Sequence, residues 1–345
     1  MKTLKFNILA VMALLISFNV VSAERISKRV YKNYPVNTVK KLDINNKYGN
    51  IYIENNRTDS VIVSANIWVE GTSDKARRLL DNINVTVNLN GSTVVAVTEI
   101  ENTMNGNNEF SIDYHVSIPA DRELAVVQKY GTVNMKDLNA KGTFEIKYGE
   151  LNGQKLLSPD LTMDIAYSKV NMEAVKDLSL VLHYSKLQLE SGHNLKMETR
   201  YTSGGIYIGA CNQIEADSRY DNYKIKNINT LIMNSMYTGI NVDRLNSKLS
   251  LINGYGGVTV GEIPAGFESI TIVNKYAGIK LGIATDASYK LNGKVHYCDI
   301  KHPDGKLNRM RENTSYEVTG TVGNSENPKS SVRIESNYGS VNLIP

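Results

Sequence analysis

Cysteine is nearly absent from this chain of 345 residues: there are two, Cys211 and Cys298. So small a number excludes a disulfide framework as the source of stability. Proline (7), phenylalanine (5) and tryptophan (1) are also scarce, beside 20 tyrosines and 25 glycines. That choice is odd for a compact enzyme core and natural for many short strands joined by turns. Neither sign of charge dominates. Lys and Arg total 39 against 35 Asp and Glu, for a net charge of +4, and the two signs are mixed along the chain. Such a balance sets up no field that would steer the protein onto nucleic acid, so a general nucleic-acid binder is excluded. With 41% hydrophobic and 21% charged residues the chain is not a disordered tail, and its length allows one large or two ordinary domains.

Long apolar runs are missing too, apart from one at the start. Lys2 and Lys5 precede an apolar stretch from Phe6 to Val21 that ends in Ser22 and Ala23. This is the three-part pattern of a secretory signal peptide, with cleavage expected after Ala23. The stretch is shorter than the roughly 20 residues that span a bilayer, and no cysteine follows it to carry a lipid. The expected location is therefore outside the cytoplasm, in the periplasm or on the cell surface, with no transmembrane segment after cleavage.

What the sequence has in abundance is periodicity. Tyrosines recur at positions 130, 148, 167, 184, 201, 220, 237, 255, 276 and 297, at intervals of 17 to 21 residues. Most are followed by a small or turn-forming residue such as Gly131, Ser168 or Thr202, and Tyr48-Gly49 and Tyr338-Gly339 bracket the series. Self-similarity at a short fixed period signals a solenoid. Within a unit the apolar period is two, as in Phe144-Ile146-Tyr148 before the tyrosine and Val170-Met172 after it. No helical period intervenes, so the expected fold is all-β: a parallel β-solenoid of about ten coils of 17–21 residues. The alternation slips by one at each Tyr-Gly step, and the small residue is expected to supply the bend. In-register stacking would place the rings about 4.8 Å apart as a ladder along one corner. It would also stack Asn253 on Asn274 inside, amide on amide. Cys211 and Cys298 then lie five coils apart, roughly 24 Å at that spacing, and are expected as free thiols.

The expected organisation is a leader over residues 1–23, an N-terminal and mostly antiparallel β cap over 24–120, and the solenoid with an irregular C-terminal closure over 121–345. A short helix is expected in the cap from Ser73, with Asp74 in its first turn. Near the other end, "HPDGKLNRMRENTS" reads as a surface loop and "GNSENPKSS" as a tip, and the strand pairs Tyr316-Val318 and Val332-Ile334, then Val341-Leu343, would finish the stack.

The segment "VSIPADRELAVVQKYGTVNMKDLNA" and the ending "SVRIESNYGSVNLIP" resemble the bacterial β-strand-repeat family of unknown function labelled putative adhesin. The resemblance spans roughly residues 40 to 345. It implies an exported, right-handed β-helix-like solenoid and brings no catalytic residue with it.

Several constellations bear on function. The residue before each tyrosine is often basic, giving Lys129, Lys147, His183, Arg200, Arg219, Lys275 and His296. Stacked one per coil, these would form a cationic column beside a corner that includes Tyr148, Tyr184, Tyr201 and Tyr220. That geometry suits an extended polyanion or acidic glycan. Two positions earlier stand Glu145, Asp164, Glu198 and Asp217, and acid and base columns side by side most simply neutralise each other. The stacked pairs Glu145 with Asp164 and Glu198 with Asp217 also invite comparison with polysaccharide lyases and hydrolases on β-helices. Each pair, however, lacks a third acid and has a base two residues onward. His296, Cys298 and His302 are too few for a metal site, and Gly254, Gly256, Gly257 and Gly261 lack the Gly-Lys-Ser/Thr of a phosphate loop. No cofactor is expected. The expected role is a non-enzymatic envelope or surface protein, adhesin-like, that offers a rigid face to a glycan or an envelope protein. The oligomeric state is left open, and the alternative is a polysaccharide-processing enzyme.

Overall fold

The computed structural model describes residues 24–56, 58–101, 108–202 and 204–344, so the leader lies outside the described residues. Of the described residues 70% are strand and 4% helix, built around a parallel β-solenoid of about eight turns rather than ten. Its regular middle consists of strands that each run from one tyrosine almost to the next: Lys169–His183, Lys186–Arg200, Ile206–Arg219, Asn222–Met236 and Gly239–Gly254. Each pairs in parallel with the next, residue on equivalent residue, as Leu182 on Thr199 and Thr199 on Ser218. The core lies between the two long sides of the coil. Ile146, Ile165 and Leu182 line one side, and Leu151, Val170 and Leu187 the other, all fully buried. Each such side chain stabilises the fold by about 1.5–3 kcal/mol relative to leaving it in water.

The corner is where the structure departs from expectation. The residue that bends the chain is the tyrosine itself, not the small residue after it. All twelve ladder tyrosines, from Tyr48 to Tyr338, sit in the left-handed region with φ between 51° and 59°. A left-handed residue turns the following strand over, which restores the inward parity that the one-residue slip would otherwise lose. The small residue is needed for a different reason: it points into the crowded corner. A Cβ on Gly131 would stand 1.7 Å from the Gly49 carbonyl oxygen, and one on Gly256 1.9 Å from that of Thr238. Pairing continues unbroken through the bend. The Tyr130 N–H donates to the Lys147 carbonyl at 3.1 Å, and Tyr148 to Ala166 and Tyr184 to Arg200 at 3.2 and 3.0 Å.

Polar side chains inside the corner satisfy the backbone groups that the bend turns inward. Ser185 Oγ accepts from the Ser168 N–H at 2.9 Å and donates to the His183 carbonyl at 2.7 Å. Farther along, buried Asp221 accepts from Thr199 Oγ1, Ser218 Oγ, Thr202 Oγ1 and the Thr202 N–H, all at 2.6–2.8 Å. The expected amide stack is present: Asn253 Nδ2 donates to Asn274 Oδ1 at 2.9 Å, and Asn274 continues it to Ser336 Oγ at 2.9 Å.

Both ends are more involved than periodicity suggested. Lys41–Lys47 and Ile51–Asn55 form a coil that pairs with Glu123–Lys129 and Thr132–Met135. Its outer edges are covered in parallel by Thr93–Ile100 and Phe110–Ile118. Antiparallel strands close this end: Arg25–Pro35 on Ser60–Glu70, Ser60–Glu70 on Phe110–Ile118, and Ile83–Asn90 on Thr93–Ile100. The helix Asp74–Asn82 starts at Ser73, whose side chain caps the Ala76 N–H.

At the other end the stacking order is not the chain order. Ser330–Asn337 lies between Ser269–Lys275 and Tyr289–His296, so the stretch expected to finish the stack is inside it. Part of the expected surface loop is the strand Gly305–Glu312. It forms an antiparallel hairpin with Ser315–Val322, which in turn pairs antiparallel with Tyr289–His296, so Tyr316 and Val318 belong to this hairpin and not to the parallel stack that they were expected to finish. Because most of Gly305–Glu312 is exposed on both faces, it carries no alternating pattern from which a strand could be read. Cys211 and Cys298 are free thiols, as expected.

Three outcomes follow from these packing relations. Tyr201→Gly and Tyr201→Ala both lose the ring's two stacking neighbours, but the alanine retains the left-handed penalty. Urea melts are expected to show Tyr201→Ala less stable than Tyr201→Gly by about 1 kcal/mol. Asp221→Ala strands four buried donors and should cost roughly 2–4 kcal/mol on the same measurement. Burial pushes the Tyr289 phenol up from 10.0 to about 12, and its hydroxyl has no partner among the described residues. A raised folded-state value stabilises fully below pH 10 and is lost as the pH climbs towards 12. Tyr289→Phe should therefore flatten the alkaline fall in stability by on the order of 2 kcal/mol between those limits.

Candidate functional site: the tyrosine corner and its basic edge

The twelve rings form one continuous column in the order 48, 130, 148, 167, 184, 201, 220, 237, 255, 276, 338, 297. Neighbouring centroids are 4.7–5.2 Å apart and neighbouring planes are within 12° of parallel. Phe110 closes the first end, tilted by 57° against Tyr48. The rings from Tyr130 onward remain about half exposed, as Tyr148 at 49% illustrates. A stacked pair contributes about 0.5–1.5 kcal/mol beyond its area burial. That is comparable to the roughly 1–2 kcal/mol cost of a left-handed residue with a side chain. The ladder thus offsets the strain of the bend that creates it.

Strand register brings the predicted basic residues into one file. Lys129 lies opposite Lys147, His183 opposite Arg200, and Arg200 opposite Arg219. The file is interrupted at Ala166, Met236 and Gly254, and Asn337 separates Lys275 from His296 because of the inserted strand. Lys47, in the first coil, extends the file beyond Lys129. It precedes Tyr48 as the others precede their tyrosines, so the same spacing would have found it.

The charges along the file differ in how far they are engaged. Arg200 is pinned: its guanidinium contacts Asp217 at 2.5 Å and Glu198 at 3.4 Å and donates to the Thr199 and Asp217 carbonyls. Lys147 Nζ binds Glu145 at 2.8 Å. The hydrogen bond from Lys147 lowers the Glu145 carboxyl below its ordinary value against the opposing effect of burial. Lys47, Lys129 and Lys275 form no ion pair with any described residue. The Nε2 of His183 is buried without a partner among the described residues. His296 and Cys298 are at the last coil, where Cys298 Sγ lies 3.3 Å from the His296 carbonyl. His302 is directed elsewhere, with Nδ1 2.8 Å from the Pro303 carbonyl and Nε2 3.3 Å from the Tyr316 hydroxyl.

A second outward column escaped the sequence analysis. Four residues after Tyr130, Tyr148 and Tyr167 stand Asn134, Asn152 and Asn171, linked amide to amide at 3.0 and 2.7 Å. Recurrence of Asn at a fixed offset from the tyrosine is the signal that would have found it.

No family model matches the chain, and no curated protein matches it. Among solved structures, the chain is similar to a putative cell adhesion protein from Clostridium sporogenes at 12% identity. That alignment covers 92% of this chain and 99% of the other, with a TM-score of 0.23. A putative adhesin from Parabacteroides distasonis is similar at 10% identity over 74% of this chain and 97% of the other, with a TM-score of 0.37. A putative lipid binding protein from the same organism is similar at 12% identity over 92% and 97%, with a TM-score of 0.30.

Proposed function

We propose that this protein is an exported, adhesin-like component of the bacterial envelope or surface that binds an acidic glycan along its tyrosine corner and does no chemistry on it. The observation that carries this is the stack of Lys47, Lys129 and Lys147 beside Tyr48, Tyr130 and Tyr148 at one end of the ladder, in which Lys147 is held by Glu145 and Lys47 and Lys129 form no ion pair with any described residue. There, cations recur once per coil next to exposed ring edges, a spacing that suits a chain with regularly placed carboxylates. The middle of the file is less suited, because Arg200 is already clasped by Glu198 and Asp217.

A non-enzymatic role is supported by the state of the carboxylates. A general acid needs a raised pKa, whereas Glu145 is held low by the Lys147 ammonium. Asp217 is engaged by Arg200.

The test is binding of polygalacturonate, alginate and hyaluronate to the protein at increasing salt, with the sugars analysed for cleavage afterwards. Lys129→Ser with Lys147→Ser should weaken binding about tenfold and reduce its salt dependence, with no product formed. Arg200→Ser with Arg219→Ser should have the smaller effect. Binding unchanged by the lysine pair would refute the site, and cleavage of any of the three polymers would refute the role.

A further inference from the structure

A different face of the coil carries a second polar groove. The outward column begins with His115 and Tyr52, whose rings are stacked at 4.9 Å and 11° on neighbouring strands. Register then sets Tyr52 opposite Asn134, Asn134 opposite Asn152, and Asn152 opposite Asn171. Gln188 follows, and the run ends at Tyr207, over which the Lys226 ammonium lies at 5.5 Å. Three stacked amides and a glutamine are thus framed by aromatic rings, over a length of roughly 24 Å at a strand spacing of about 4.8 Å. The column borders an open depression of about 450 Å³, and a neighbouring depression of about 450 Å³ shares Tyr52 and Glu54 with it. Tyr52 and Glu54 thus stand between the two parts of the groove.

We infer that this groove binds an uncharged oligosaccharide, at a site separate from the tyrosine corner. Three features select that ligand. A carboxamide has a capacity of about four hydrogen bonds. Within the column Asn152 gives one to Asn134 and takes one from Asn171, while Asn171 donates to Asn152 and Glu150. None of the three amides uses more than half its capacity: Asn134 and Asn152 can both donate to and accept from a sugar hydroxyl, and Asn171, both of whose N–H donors are engaged, can accept. The amides repeat at the strand spacing, close to the length of one pyranose in an extended chain. The stacked Tyr52 and His115 rings provide an apolar platform for the C–H face of a sugar ring. Charge disfavours a polyanion along the amide column: Glu54, Glu173 and Glu190 line that depression against Lys136, and Arg29 and His115 line the neighbouring one beside Glu54. The two faces therefore sort ligands by charge.

The experiment is calorimetry and saturation-transfer NMR of the protein with cellohexaose, xylohexaose, mannohexaose and maltohexaose. At least one should bind below about 1 mM, with little change between low and high salt. Tyr52→Ala and Asn171→Ala should each weaken it about tenfold or more. His115→Ala, at an exposed position, should do so with an unchanged melting temperature, which separates loss of the platform from loss of the fold. Lys129→Ser with Lys147→Ser should leave it unaltered, so failure of the acidic-glycan site and failure of this one are read independently. No binding by any of the four up to about 5 mM, or binding indifferent to Tyr52, Asn171 and His115, overturns the inference.

Discussion

Residue-on-residue parallel pairing is the constraint from which the rest of this molecule follows. When each coil lies on the next without slipping, every position in the repeat becomes a column at the strand spacing, and a column can be built only from residues that tolerate their own kind as neighbours. Leucine and isoleucine tolerate it inside, asparagine does so by linking amides, and tyrosine does so by stacking rings. Lysine and glutamate tolerate it less well, and the basic file is interrupted at Ala166, Met236 and Gly254, although Lys47, Lys129 and Lys147 stand in an unbroken row. The corner obeys the same logic under strain. A left-handed tyrosine is unfavourable alone, and it persists because the rings above and below hold it.

Much of this was legible because the repeat is written in side chains. The tyrosine interval revealed the coil, the two-residue period revealed the strands, and the Asn253 and Asn274 pair was recoverable from their shared offset. The conformation of the bend was not. Tyr-Gly suggests a glycine-driven turn on propensity, and only the packing of the corner, where the Gly131 position admits no Cβ, shows that glycine and tyrosine have exchanged the expected roles. The insertion of Ser330–Asn337 was hidden for another reason. Periodicity reports that a segment is a coil and is silent on which coil it touches, so Tyr338 looked terminal while its ring stacks between Tyr276 and Tyr297. The hairpin Gly305–Glu312 was hidden because a strand exposed on both faces has no inside to encode.

The candidate sites were legible to a different degree. Basic residues before the tyrosines were visible as a list, yet their availability depends on neighbours two residues and one coil away. Arg200 and Lys129 occupy equivalent positions, and only the coordinates distinguish the clasped guanidinium from the unengaged ammonium. The amide column was missed because attention to apolar alternation treats the outward residue as filler. In a solenoid the outward residue is as regular as the inward one, and is the part that meets a partner.

The inserted strand also constrains the order of events in folding. Tyr289–His296 leaves the ribosome before Ser330–Asn337, yet it is separated from Ser269–Lys275 by that later segment. The last coils cannot simply wind on as the chain emerges. Either Tyr289–His296 waits undocked or it first settles on the wrong neighbour and must be displaced. Completion at this end is thus a zipping-in step rather than continued growth, and it joins residues about 60 positions apart, such as Asn274 and Ser336. The C-terminal coils are accordingly complete only once the tail of the molecule is in place.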